Sequence, residues 1–300
     1  MPVPTRYFLH QGPVIGALVR AATASKEQGA AKAPPELPGP EQRKVIPPRP
    51  KDLVRDYVRH VGGEPSAYRN EVPPHLFPQW VFPLVTDSFR GLPYPMQKAM
   101  NGGCRIEVRA PLPGDEPLHV TGRLDSIDDD GRRAVLQHRS VTGTSTHPEA
   151  LVAYFQAIVP LGGGKGDGKG KKKEKPRVPD DARELARWKI GAKAGFDFAK
   201  LTGDINPIHW VAPYAKAFGF PNVILHGFST MARAMEGLNR ALFAGDVHAI
   251  RMLDVRFTRP LVLPAKVGLY VRGNTEVYVG DAPGGPAYLR GTFEAPGHGG

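Results

Sequence analysis

Beyond residue 51 the chain switches repeatedly between two hydrophobic periods. Leu53, Tyr57, Val58 and Val61 share one face of a helix. Residues 105–109 and 134–141 alternate apolar and polar, as half-buried strands do, and 153–159 is apolar throughout. Asp128-Asp129-Asp130-Gly131 reads as a hairpin turn whose acids are solvated. The second half repeats this plan in more detail. A short strand over 187–190 precedes a polar turn, and Pro213 opens a short helix that closes near Gly219. Phe228, Met231, Met235, Leu238 and Leu242 then fall at helical spacing, with Ala232, Ala234 and Ala241 on the other faces. A helix apolar on most sides is predicted to be buried. Strands are predicted over 250–257, 267–271, 276–279 and 288–293. A buried helix followed by an antiparallel meander implies a sheet curled around that helix, an α+β arrangement.

Punctuation divides the chain into four parts. Residues 1–50 form a Pro/Ala-rich basic extension: a short helix fits 14–24, and the prolines of 34–40 and 47–50 favour extended backbone. Residues 51–161 form a first domain, 162–178 a Gly/Lys-rich linker and 179–300 a second domain. The linker run Gly163 to Lys169 has phosphate-loop spacing, but Gly170 stands where Ser or Thr belongs and no helix can follow, so a tether is the better reading.

The net charge of +11 belongs to the tails and linker. Residues 1–51 carry eight basic and three acidic side chains, and 165–177 carry seven and two. The domains themselves are nearly neutral, which weighs against a nucleic-acid surface. Hydrophobic content of 41% supports real cores. The single cysteine, Cys104, excludes an intrachain disulfide and a cysteine-rich metal site, and its setting at a strand start marks it as a small buried residue. No apolar run reaches the length of a membrane span. A cytoplasmic location is the expectation, with a transit-type leader as the alternative because no acid precedes Glu27.

The candidate chemistry lies in 198–209, Phe-Ala-Lys-Leu-Thr-Gly-Asp-Ile-Asn-Pro-Ile-His, followed by Trp210 and later by Leu225-His226-Gly227. Gly203-Asp204 and Asn206-Pro207 are turn signals, and Pro207 pushes Asn206 toward extended backbone. Asp204 and His209 thus flank a restrained bend and can converge on one point, while Asn206 can both donate and accept. A plain helix cap would account for Asp204 and Asn206, but not for His209 or for His226-Gly227. The apolar flanks Phe198, Ile208 and Trp210, with Phe228 beyond the glycine, mark a pocket lining rather than a solvated loop.

The spacing Phe198-x-x-Leu-Thr-Gly-Asp-x-Asn-Pro-Ile-His209, with Ala215 beyond it, resembles the hydratase-2 motif of the MaoC-like dehydratases, and Leu225-His226-Gly227 opening a long helix matches as well. The motif resemblance covers roughly 183–295. More weakly, Gly62 to Tyr68 and Val72 to Phe77 resemble a shortened relic of the same region, without Asp-x-Asn-Pro-x-His; His75 there reads as structural. The resemblance implies two hot-dog domains fused in one chain, each an antiparallel sheet wrapped around a central helix, the N-terminal one degenerate. It implies reversible hydration of trans-2-enoyl thioesters to (R)-3-hydroxyacyl thioesters in fatty-acid or hydroxyalkanoate metabolism. By resemblance Asp204 and His209 form the catalytic pair, Asn206 orients them and the backbone N–H of Gly227 receives the thioester oxygen. Phe198, Ile208, Trp210, His226 and Phe228 line the substrate. Met235 stands about where some relatives carry a serine. A tunnel for a longer acyl chain is expected along 62–83.

No metal or resident cofactor is implied; coenzyme A or acyl carrier protein enters as the carrier of the acyl substrate, with Arg251, Arg256 and Arg259 as candidate contacts for either. Acyl carrier protein and a second copy of the chain are open as partners. The competing reading is a non-catalytic acyl-thioester-binding subunit of a dehydratase complex; a thioesterase lacks its motifs here.

Overall fold

The computed structural model describes residues 2–24, 35–162 and 175–297. Ten strands form one continuous sheet in the order β1-β3-β4-β5-β2-β7-β10-β9-β8-β6. The first five are β1 (Gln42–Ile46), β2 (Met100–Val108), β3 (Leu118–Asp129), β4 (Arg133–Gly143) and β5 (Leu151–Pro160). The last five are β6 (Arg183–Ile190), β7 (Met252–Phe257), β8 (Ala265–Arg272), β9 (Glu276–Gly280) and β10 (Ala287–Glu294). Both sets follow one topology: the first strand lies at the rim, then come the third, fourth and fifth, and the second lies at the centre. The halves join where β2 pairs antiparallel with β7, Cys104 opposite Val255.

The helices repeat the scheme. In the first half α2 (Lys51–His60) precedes α3 (Pro78–Ser88); in the second, α4 (Ala194–Thr202) and the short α5 (Ala212–Ala217) precede α6 (Gly227–Leu242). Helix α6 is the predicted buried helix: Phe228, Met231, Ala232, Ala234, Met235 and Leu238 are all within the core. Its counterpart α3 is shorter and carries Pro83 in its interior, where proline removes a hydrogen bond and clashes with the preceding turn. The fold is a double hot dog. The hairpin at Gly131 forms as predicted, with Asp129 Oδ1 accepting from Gly131 N at 2.8 Å. Cys104 is buried and its thiol pKa is pushed up by burial.

Two expectations meet differences. Residues 42–46 are not merely extension: they form β1 and pair with β3, Gln42 opposite Gly122. The stretch is short, it is flanked by prolines, and its register partner is far along the chain, so periodicity alone could not show it. As a rim strand it carries Arg43 and Lys44, charges that discourage edge pairing. Upstream, the helix expected over 14–24 forms as α1 (Gly12–Ala24) and packs on α3. The 62–83 segment is filled rather than open: Leu76, Phe77 and Trp80 are buried, and Phe77 and Phe82 meet Phe228 edge-on at 5.6 and 6.5 Å. Residues 163–174 of the linker, including the phosphate-loop spacing, lie outside the described residues.

Candidate active site

Helix α4 stops at Gly203, which takes the left-handed conformation (φ 83°) and donates its N–H to Ala199 O at 2.8 Å, a helix ending that favours glycine. The next residue is Asp204. Pro207 holds Asn206 extended (φ −53°, ψ 119°), and Pro207–His209 closes into a single 3₁₀ turn. Asn206 Oδ1 caps that turn by accepting from Ile208 N at 3.2 Å. Asn206 thus fixes the backbone between Asp204 and His209; its side chain is exposed. Trp210 Nε1 donates to Ile205 O at 3.1 Å and ties the far side of the bend to its middle.

The segment before α6 runs alongside. Ile224 N donates to Ile208 O at 3.2 Å, and His209 Nδ1 lies 2.8 Å from Ile224 O. A carbonyl only accepts, so Nδ1 carries the hydrogen and Nε2 keeps a free lone pair. His226, fully buried, lies face to face with His209, ring centroids 3.6 Å apart. Its Nε2 donates to the main-chain oxygen of Asp204 at 3.1 Å and stands 3.8 Å from Oδ2. One ligand atom each of Asp204, His209 and His226 lies within 4.8 Å of the others. The stacked imidazoles have their planes side by side, and one nitrogen of each is already spent on a carbonyl.

Burial dominates the electrostatics. It raises the Asp204 pKa, against the opposing attraction of His209 and the Asn206 N–H. It lowers that of His209, against Asp204 and the Ile224 carbonyl. It depresses His226 further, with His209 adding to the effect. The pair thus has its two proton affinities drawn toward each other.

Gly227 opens α6 directly after His226. A side chain there would meet the Phe257 ring at 2.8 Å, so this position takes glycine for close packing. Its N–H is the first amide of the helix and carries the positive end of the dipole.

The predicted lining residues divide. Ile208 is half-buried and Trp210 is 41% exposed at the turn. Phe198 and Phe228 lie behind it: Phe198 packs on His226 at 4.8 Å and on Tyr57 at 6.1 Å, and Phe228 sits among Phe77, Phe155 and Phe257. His226 is buried, stacked on His209 and bonded to the Asp204 carbonyl, rather than lining a surface. Of the arginines suggested for the carrier, Arg256 is paired with Asp254 at 3.1 Å and Arg259 donates to Lys175 O at 3.2 Å. A cavity of about 300 Å³ lies on the sheet away from this turn, lined by Arg105, Glu107 and Arg256 among others. Sequence reading missed Gln11 and Gln79, which reach the end of α4 from other elements, and no local pattern marks them.

Two sheet-and-helix units fused through their second strands, with one polar turn beside the longer helix, define a double hot-dog protein. The chain belongs to the MaoC-like dehydratase family. The family's MaoC like domain matches residues 177–277. The chain is 30% identical over 210 residues to 3-hydroxyacyl-thioester dehydratase X of Mycobacterium tuberculosis, covering 68% of this chain and 71% of that protein. It is also 30% identical over 174 residues to enoyl-CoA hydratase ChsH3 of the same organism, covering 57% of this chain and 60% of the relative, less than two thirds of its length. Among solved structures, HtdX of Mycobacterium tuberculosis superposes with a TM-score of 0.66 at 22% identity over 85% of this chain and 100% of that one. A double hotdog protein from the same organism superposes at 0.56 with 12% identity over 86% and 96%. These two support the fold.

Proposed function

We propose that this chain is a hydro-lyase that adds water across the C2=C3 bond of a trans-2-enoyl thioester to give the (R)-3-hydroxyacyl thioester, or runs the reverse dehydration. The observation that carries this reading is the tautomer at His209: with Nδ1 committed to Ile224 O at 2.8 Å, Nε2 is a free base beside Asp204. The names of the relatives, a hydratase and a dehydratase of thioesters, support the reaction class, and the motif resemblance supports the (R) configuration.

His209 Nε2 takes a proton from water as the oxygen bonds to C3, and the protonated form of Asp204, whose pKa burial raises, delivers a proton to C2. Charge gathers meanwhile on the thioester oxygen, which the Gly227 N–H at the helix start would stabilise; such a donor contributes about 3 kcal/mol. Transfer from imidazolium back to carboxylate resets the pair. Dehydration reverses the roles. No resident cofactor enters; coenzyme A or an acyl carrier protein is the carrier of the acyl group.

Catalysis is assigned to the second half alone. In the first half the histidine of the relic, His75, has Nε2 at 2.9 Å from Glu236 and is fully buried, so it cannot meet a substrate. That half is read as degenerate in chemistry while complete in sheet topology.

The test mixes the protein with four-carbon and longer enoyl-CoA substrates, and with the same acyl groups on acyl carrier protein, and follows loss of the conjugated enoyl absorbance with chiral analysis of product. Asp204→Asn and His209→Ala each lower turnover by at least ~10² in a folded protein. No turnover with either carrier, or full turnover in both variants, rejects the reading and leaves a non-catalytic acyl-binding role.

A further inference from the structure

We propose that residues 3–17, which precede both hot-dog units, are a brace for the catalytic turn, and that Gln11 is its positioning residue. The proposal rests on the hydration reading for its kinetic consequence only.

The last carbonyls of a helix lack partners within it. At the end of α4 the Ala199 carbonyl is served by Gly203 N. The next two are served from far away in sequence. Gln11 Nε2 donates to Lys200 O at 3.1 Å and to Leu201 O at 3.0 Å. Gln79 of α3 donates to Leu201 O at 3.1 Å and to Gln11 Oε1 at 3.2 Å. Gln11 is fully buried, so these carbonyls have no water to fall back on.

The same segment presses on the hinge itself. A methyl group in place of a hydrogen on Gly203, whose φ is 83°, would meet Val14 Cβ at 2.9 Å and Gln11 Cβ at 3.1 Å. Asp204 is the next residue, so the place where α1 packs sets where that carboxylate emerges. Two more ties hold the segment down. Lys200, also buried, donates from Nζ to Val3 O at 2.8 Å and to Asp197 Oδ1 at 2.7 Å. On the far flank Phe8 packs on Phe196 at 6.1 Å, and Phe196 on Trp210 at 5.3 Å. The brace therefore touches the turn before Asp204 and reaches Trp210, after His209, through Phe196 of α4.

A residue that merely stabilised the fold would weaken α4, α6 and the sheet together. A positioning residue loosens 203–206 selectively and acts on kcat. Gln11→Met keeps the length and bulk of the side chain and removes both donors. In the full-length variant, amide hydrogen exchange at Gly203, Asp204 and Ile205 is expected to quicken at least ~10-fold, while residues 231–238 of α6 exchange as in the parent. With crotonyl-CoA as the probe, kcat is expected to fall at least ~10-fold with KM within ~3-fold. Should Gln11→Met not fold, Lys200→Met cuts the second tie of the same segment and carries the same exchange readout.

Exchange at 203–205 within ~2-fold of the parent overturns the brace, whatever the kinetics. Faster exchange at 203–205 alone, in a parent that turns over no enoyl thioester, upholds the brace and removes the hydration reading instead. Exchange that quickens equally in α6 assigns Gln11 to general stability and overturns the positioning role.

Discussion

His75 Nε2 lies 2.9 Å from Glu236 Oε1, with both side chains buried, so a histidine of the first half holds a carboxylate in the middle of the second half's central helix. Tyr68 OH donates to the same oxygen at 2.7 Å, and Tyr57 OH donates to His75 O at 2.9 Å. A carboxylate inside an apolar helix costs several kcal/mol unless it is paired. This cluster is therefore a polar lock between the halves, reinforced by Arg233 donating to His60 O at 2.6 Å.

Breaking the lock on one side is expected to be expensive and removing it whole is not. Glu236→Leu leaves His75 and Tyr68 without their acceptor and is expected to destabilise by about 3 kcal/mol. The double replacement His75→Leu with Glu236→Leu recovers most of that loss. Urea midpoints of the parent and the two variants decide the matter; a single replacement costing under about 0.5 kcal/mol would show that the contact carries no load.

What could be read in advance follows from distance along the chain. The motif from Phe198 to His209 packs its turn chemistry into consecutive positions, so its bend was visible, and the apolar stripe from Phe228 to Leu242 announced α6. Partners supplied from elsewhere were not visible. Gln11 meets Leu201 across a separation of 190 residues, and β1 pairs with a strand whose register no periodicity in 42–46 could specify. His75 was legible as structural, but no local pattern marks Glu236, 161 residues away, as its partner. Asn206 shows a further limit: its side chain is spent on a cap, a role the sequence could not separate from direct orientation of the pair.

Gly227 is expected to resist even a methyl group. An added Cβ would stand 2.8 Å from the Phe257 ring, and overpacking of this kind costs about 2 kcal/mol. Gly227→Ala keeps the N–H but displaces the helix start, so turnover should fall at least ~10-fold as thermal stability drops. Phe257→Leu in the same chain makes room and should restore much of both. Thermal midpoints and kcat for the pair check this; Gly227→Ala with unaltered kcat would detach the helix start from the reaction.

The His209 ring should titrate below its ordinary value of 6.5, since burial opposes its charged form more than Asp204 and the Ile224 carbonyl support it. Asp204→Asn removes the favourable charge and leaves the burial, so the titration is expected to move to still lower pH. Following the imidazole C–H resonance of His209 in the two proteins gives the sign directly. An unchanged titration on Asp204→Asn would mean that the two groups do not sense each other, and a rise would overturn the sign.

Acid sensitivity is expected from a histidine outside the site. His138 on β4 is fully buried, Phe89 meets its ring edge-on, and both ring nitrogens lack a partner among the described residues. Burial depresses its pKa from 6.5 to about 3. The unfolded chain therefore binds a proton at this residue as pH falls below 6.5, and the folded chain does not until near 3. Its neutral form supports the fold fully above pH 6.5, and that support is lost progressively between 6.5 and 3. At pH 5 the loss is about 2 kcal/mol. His60, depressed to about 4 chiefly by burial and then by Arg233, adds a loss of the same sign. His138→Leu removes one contribution and the two unpaired nitrogens together, so its urea midpoint should fall less between pH 7 and pH 5 than that of the parent. Equal falls in the two proteins would mean that His138 takes up its proton in the folded state, and that the inner face of β4 is open to water.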